Sequence, residues 1–388
     1  MLTRLTISDD HAAYREEVRA FYDAEIAPHV EAYEDAGEFP GDLVRTLGDA
    51  GLVGVPYAED VDGGGLDYRS FAIAMEELAR TWKLLAGTVN VAAGLVGYPI
   101  ATFGAPWQRE RWLTDVFAGE SIAALAMTEP DAGSDAASAS TTAERDGDEL
   151  VVDGHKVWST NGAVADLLLV LARTGEDDGH RGLSLVGIPE PHDRDGVTVV
   201  RDIPSMEGEA AVETEIRFDG VRVPAENVVG DPGSGFRYVM EALDVGRIGT
   251  AAQGVGVAQA ALDASREFAD EREQFGQPIR ENQGISFKLA DMAMDVEAGR
   301  LLTLAAADGR DRGDRVTQAA AMAKTFATDA AMDAATEAVQ IHGSRGYSKE
   351  YPVERYMRVA KGMQIYDGTN EINRVVISKR MYENEGER

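Results

Sequence analysis

Ile122-Ala123-Ala124-Leu125-Ala126-Met127-Thr128-Glu129-Pro130-Asp131-Ala132-Gly133-Ser134-Asp135 is the stretch at which this chain changes its period. Upstream, apolar residues recur at helical spacing, as at Tyr14, Val18, Phe21, Tyr22 and Ile26, and similar patterns over 43–47, 68–78, 85–103 and 107–117 are punctuated by Pro40, Gly51 and Pro56. From Ile122 onward short β-rich runs take over, at 122–127, 150–152, 167–171, 183–188, 197–200 and 216–223. The turn pairs Asp146-Gly147, Asp153-Gly154 and Asp219-Gly220 separate them, which predicts a compact antiparallel β domain. After Pro232 long Ala-rich helical patterns resume, through Leu289, Met292 and Val296 and then over 316–339. The order helical, β, helical predicts three domains, 1–122, 123–233 and 234–388.

At 388 residues the chain exceeds a single small core, and 44% hydrophobic with 27% charged residues is an ordinary globular mixture. Asp and Glu number 68 against 37 Lys and Arg, a formal charge of -31. A nucleic-acid partner is therefore not expected, because no basic run gathers positive charge to overcome long-range repulsion. Only seven residues are Lys, so the cations are nearly all Arg, and the acidic excess resembles the bias of halophilic proteins; a GC-rich genome is the alternative source. If the excess is halophilic, surface carboxylates repel one another at low ionic strength, and a Debye length of ~10 Å at 0.1 M does not screen them sufficiently. Activity and assembly are then expected to need molar salt; full activity after prolonged dialysis into dilute buffer would refute this.

The absence of Cys excludes disulfides and thiolate metal sites. The first ten residues carry Asp9 and Asp10 and lack the apolar core of a signal peptide, and no apolar run of about 18 residues is seen. The expectation is a cytoplasmic protein without a membrane span. The six His, at 11, 29, 155, 180, 192 and 342, show no ligand spacing, so no metal is expected. Gly254 and Gly256 lie inside a helical pattern with no strand before them, and Gly63-Gly64-Gly65 lacks a strand-to-helix setting, so neither reads as a phosphate loop.

Four segments remain that could carry chemistry. The first is 127–135, dense in hydroxyls and carboxylates, which could equally be a β-turn. Val157-Trp158-Ser159-Thr160-Asn161-Gly162 sets a large aromatic beside hydrogen-bonding groups; it suits a planar amphipathic ligand, and a core Trp beside a turn is as ordinary. Glu271-Arg272-Glu273-Gln274-Phe275-Gly276-Gln277-Pro278-Ile279, with Gln283 following, places an Arg suited to phosphate near an aromatic, or is simply a solvated helix end. Last come Gln340-Ile341-His342-Gly343-Ser344-Arg345-Gly346-Tyr347 and Gln364-Ile365-Tyr366-Asp367-Gly368-Thr369-Asn370-Glu371-Ile372, where Asp367-Gly368 makes a turn and Thr369 or Asn370 can cap a helix.

These segments, in this order and over essentially the whole chain, resemble the acyl-CoA dehydrogenase family. The resemblance implies an α+β fold: an N-terminal all-α domain, a middle antiparallel β-barrel-like domain and a C-terminal four-helix bundle, assembled as a homotetramer with FAD in each subunit. By motif position, Thr128 and Thr160 would hydrogen-bond the flavin ring, with Trp158 and Ser159 flanking it. Arg272, Phe275, Gln283, Gln340 and Gly343 would hold the FAD pyrophosphate and adenosine, in a neighbouring subunit, and Thr369 and Glu371 would add contacts. Ser134 would meet the pantetheine arm of CoA, and Tyr366 and Gly368 would line the substrate. The reaction implied is α,β-dehydrogenation of an acyl-CoA to a trans-2-enoyl-CoA, as in fatty-acid β-oxidation, with hydride transfer to flavin N5 and electrons passed on to electron-transferring flavoprotein.

Asp367 falls at the base position, where most members have Glu, and Arg247 matches an Arg of the active-site helix. A minority of members place the base in an earlier helix, at the position of Gly246 here, so Asp367 is the carboxylate available at either place. Its side chain is one methylene shorter, which points toward a short, branched or cyclic acyl group. Two alternatives stand beside this reading: a flavin oxidase of the nitroalkane type, which also uses Asp, and a catalytically inactive flavoprotein. The segment 88–103, with Gly94, Gly97 and Tyr98, either lines the acyl pocket or serves helix–helix contact.

Overall fold

The computed structural model describes residues 7–175 and 179–383. In chain order the helices are α1 (Asp9–Glu25), α2 (Val30–Ala36), α3 (Gly41–Asp49), α4 (Tyr68–Asn90), α5 (Tyr98–Phe103), α6 (Pro106–Gln108) and α7 (Thr114–Phe117), then α8 (Gly235–Glu271), α9 (Gln283–Asp311), α10 (Thr317–His342), α11 (Val353–Met363) and α12 (Asn370–Glu383). Between the two groups lie strands β1 (Ala123–Ala126), β2 (Thr142–Asp146), β3 (Glu149–Thr160), β4 (Leu167–Arg173), β5 (Leu183–Pro189), β6 (Val197–Asp202) and β7 (Glu213–Pro224); a small hairpin, β8 (Glu273–Gln274) and β9 (Gln277–Pro278), follows α8. The helical, β, helical order is thus the observed one.

Local chemistry explains the start of α1. Ser8 caps α1, its hydroxyl accepting from the His11 backbone N–H at 3.2 Å, and Asp9 and Asp10 suit the positive end of the helix dipole. The expected helix therefore starts earlier than its apolar stripe. Tyr68–Phe103 is one helical run, with a non-helical residue at Trp82 and a π-helical turn at Val91–Gly97. That run is long and apolar enough to cross a membrane, which corrects the expectation that no such stretch exists; 83% of its most apolar window is buried inside the protein, as in a core helix.

The chain forms two compact units. One comprises Glu31–Leu66 and Thr88–Gly246 and contains the large sheet, seven strands in the order β1-β4-β2-β3-β7-β6 with β5 on β4. Its pairing is mainly antiparallel, but β1 and β4 run parallel, Ala123 opposite Leu167 through Ala126 opposite Val170. This corrects the wholly antiparallel expectation: the chain leaves β1, makes the β2–β3 hairpin and returns beside β1 in the same direction. Nearly every residue of β4 and β5 is buried, so both faces are covered, and the core gathers Ala124, Val152, Leu168, Val186, Ile216 and Phe218. In this unit a Cβ at Gly94 would come 3.1 Å from Gly246 Cα, and at Gly97 2.9 Å from the Phe117 ring; both glycines serve close helix contact.

The other unit comprises the chain up to Val30, Asp67–Gly87 and everything from Arg247 onward. Ala320, Ala323, Ala327, Ala330, Ala334 and Ala338 form the small buried face of α10, against which α8 and α9 pack closely. Gly254 is explained here, since a Cβ on it would lie 2.8 Å from the Ala327 carbonyl oxygen. An ionic cluster is buried in this unit. Arg15 donates to Glu76 at 2.7 and 3.1 Å and to Glu77 at 2.7 Å, and Arg300 donates to Glu76 at 2.9 Å. Burial alone would raise the Glu76 carboxyl, but the two guanidiniums outweigh it and hold it down at about 2.

Candidate active site

In the β unit, the loop after β1 is held by a buried pair. Lys156 is fully buried on β3, its Nζ donating to the Met127 carbonyl at 2.9 Å and to Glu129 Oε1 at 2.8 Å. Glu129 also accepts from the Ser140 N–H and hydroxyl, both at 2.7 Å, and from the Thr141 N–H at 2.9 Å. Burial opposes its charge, yet these donors bring the carboxyl down to about 2. Thr128, between the two anchored residues, is half-buried, and its carbonyl accepts from Val157 N–H at 2.9 Å. Ser134, farther along the loop, is exposed.

Across from β7, the register of β3 slips between Lys156 and Ser159. At this bulge Trp158 takes φ +58° and leaves 53% of its surface exposed. A large non-glycine residue in the left-handed region is strained, and an outward-turned indole held that way is a pointer to function. Ser159 turns inward and is fully buried, its hydroxyl without a partner among the described residues. Thr160 is half-buried and its hydroxyl donates to Glu213 at 3.1 Å.

In the helical unit, Asp367 and Gly368 take φ +53° and +81°, a turn between α11 and α12. Asp tolerates this conformation better than most side chains, because its short polar group can bond locally. Four donors secure the turn. Arg247 Nε on α8 donates to the Asp367 carbonyl at 3.2 Å; Lys324 Nζ on α10 and Asn373 Nδ2 on α12 donate to the Gly368 carbonyl at 2.9 and 2.8 Å; and Thr250 Oγ1 on α8 donates to Asp367 Oδ2 at 2.6 Å. Lys324 also donates to Asn370 Oδ1 at 2.8 Å. Burial lowers its ammonium to about 8, against the pull of the Asp367 carboxylate. Tyr366 lies under Lys83, whose Nζ is 4.9 Å from the ring centre. Thr369 caps α12, accepting from the Ile372 N–H at 3.2 Å, and Glu371 is exposed in the first turn.

Arg272 is half-buried at the end of α8, and Phe275, at φ +56°, is wholly exposed at the tip of the β8–β9 hairpin. Phe275 and Gly276 form a two-residue turn with both φ values positive, unusual for an aromatic at its first position. Gln283, Gln340 and Gly343 are exposed.

Several participants escape sequence reasoning. Thr250 follows Arg247 by three residues on one helix face, a spacing that could have flagged it. Lys324 is a lone cation in a buried Ala-rich face of a chain with few Lys, a signal left unread. The pairing of Lys156 with Glu129 has no local signature.

Models of the acyl-CoA dehydrogenase N-terminal, middle and C-terminal domains match residues 8–120, 124–221 and 233–382. An acyl-CoA dehydrogenase of Bacillus subtilis is 42% identical over 373 residues, 96% of this chain and 98% of the relative. Butyryl-CoA dehydrogenase from Megasphaera elsdenii superposes with a TM-score of 0.93 at 38% identity, over 97% of this chain and 99% of that one. A chain from a structure described as an electron transferring flavoprotein of Acidaminococcus fermentans gives a TM-score of 0.94 at 38% identity, over 97% and 98%. With its N-terminal helices, middle curled sheet and C-terminal helices each matched over nearly full length, the chain belongs to the acyl-CoA dehydrogenase family.

Proposed function

We propose that the protein dehydrogenates a short acyl-CoA thioester between its α and β carbons, with Asp367 removing the α-proton. The observation that carries this is the Asp367 turn: a half-exposed carboxylate in a left-handed backbone conformation, with its own carbonyl and the next one both clamped by buried side chains. Such over-determination of a strained residue is expected where a base must be aimed, since misplacement by an ångström is costly. A short acyl group suits the shorter Asp side chain and the likeness to a butyryl-CoA enzyme.

The donor set fits FAD. An indole turned outward at a bulge, beside the hydroxyls of Thr128 and Thr160, suits a planar ring with polar edges, and the half-buried Arg272 and exposed Phe275 suit a pyrophosphate and an adenine. When bound, the flavin supplies the hydride acceptor. Ser159, Gln283, Gln340, Gly343, Thr369 and Glu371 complete the proposed cofactor contacts; Ser134, Tyr366 and Gly368 face substrate, and Arg247 holds the base's backbone. We further propose a cytoplasmic homotetramer that passes electrons to electron-transferring flavoprotein, with its acidic surface a halophilic adaptation.

Anaerobic mixing of the flavin-loaded protein in high salt with straight, branched and cyclic short acyl-CoAs, and with a nitroalkane, tests the proposal. Loss of the flavin's visible absorbance with one acyl-CoA class is the expected result. Bleaching by the nitroalkane alone would move the protein to the oxidase reading, and no bleaching at all to an inactive one.

A further inference from the structure

Asp367 is held in two distinct ways. Its backbone is fixed by Arg247 on its own carbonyl and by Lys324 and Asn373 on the next one. These contacts set the turn but leave the side-chain torsions of Asp367 open. The carboxylate is addressed by a separate contact, Thr250 Oγ1 to Oδ2 at 2.6 Å. Thr250 is fully buried in the middle of α8, and a threonine in a helix has two favoured rotamers at most, so its hydroxyl has fewer positions open to it than the Asp367 carboxylate. The rigid partner determines where the flexible one points.

We propose that Thr250 is a positioning residue of the reaction: its hydroxyl grips Oδ2 and so presents Oδ1 to the substrate. In the step this serves, the Cα–H bond breaks, an O–H bond forms on Oδ1, and the electron pair of the broken bond stays with the acyl thioester. For a side chain one methylene short of Glu, orientation is the scarce property, because donor and acceptor must come within about 3 Å.

This inference rests on Asp367 being the base, and the test separates the two. In the flavin-loaded protein, Thr250→Val keeps the shape and removes the hydroxyl, while Thr250→Ser restores a hydroxyl at the same place. For Thr250→Val the rate constant for flavin reduction is expected to fall roughly 10- to 100-fold with KM changed less than about twofold, as for loss of an interaction that matters at the transition state. Thr250→Ser is expected to recover most of the rate. A Thr250→Val protein with wild-type rate would overturn the proposal. A rate lost and not recovered by Ser would also overturn it, by making Thr250 a packing residue. If Asp367→Asn leaves the rate intact, the reading of the base fails first, irrespective of Thr250.

Discussion

Asp367→Asn is expected to retain its flavin and to lose roughly 10²- to 10⁴-fold in the rate of flavin reduction by a short acyl-CoA, the range for removal of a positioned general base. The amide keeps the size of the carboxylate and an oxygen that can accept from Thr250, and the backbone contacts from Arg247 and Lys324 go to carbonyls that the substitution does not touch. The turn should therefore survive, so that lost activity reports on proton abstraction and not on a collapsed loop. Anaerobic stopped-flow mixing checks this, with flavin content read from the same sample. Gly246 offers no carboxylate at the alternative position, so no second base is on hand to soften the loss.

The second large effect is on stability. Glu76 sits between Arg15 and Arg300, all three buried. Glu76→Gln leaves two guanidiniums facing an uncharged amide, and removing one member of a buried ionic cluster typically costs roughly 3 to 5 kcal/mol. Urea unfolding midpoints of the two proteins, measured in high salt near neutral pH, should differ accordingly. The pH dependence has a definite sign. Glu76 is depressed to about 2 in the folded protein against an ordinary value of 4.5, so its contribution is fully present above about 4.5 and is lost as pH falls through that window toward 2. Over the same window Glu76→Gln should lose less stability than the wild type, and the gap between the two should narrow.

Much of this was legible in the residues. The switch at Ile122 from helical period to short alternating runs, and the return to helix after Pro232, correspond to real elements, because amphipathic period reflects which face is buried. The Asp367-Gly368 turn and the Thr369 cap were also readable, since both follow from local chemistry. Strand β2 was not: of Thr142-Ala143-Glu144-Arg145-Asp146 only Ala143 is buried, so the strand has no apolar alternation to betray it. The parallel pairing of β1 with β4 depends on residues some forty positions apart and leaves no local mark. The same holds at the site. Thr250 meets Asp367 across 117 residues, and Lys156 meets Glu129 across 27, so the sequence could single out Asp367 but not what holds it. The separation of the helical patterns over 68–78 and 85–103 matches the structure, where Trp82 leaves helical geometry and kinks the run Tyr68–Phe103.

In the proposed reaction a proton leaves Cα and a hydride leaves Cβ of an acyl thioester. A single anaerobic turnover with butyryl-CoA deuterated at Cα or at Cβ, followed by mass analysis of the recovered thioester, reads both losses. The expected product is a 2-enoyl-CoA lacking one hydrogen from each carbon, formed in step with loss of flavin absorbance and slowed by deuterium at either position. A thioester recovered unchanged in mass from a fully flavin-loaded, salt-stabilised protein would contradict it.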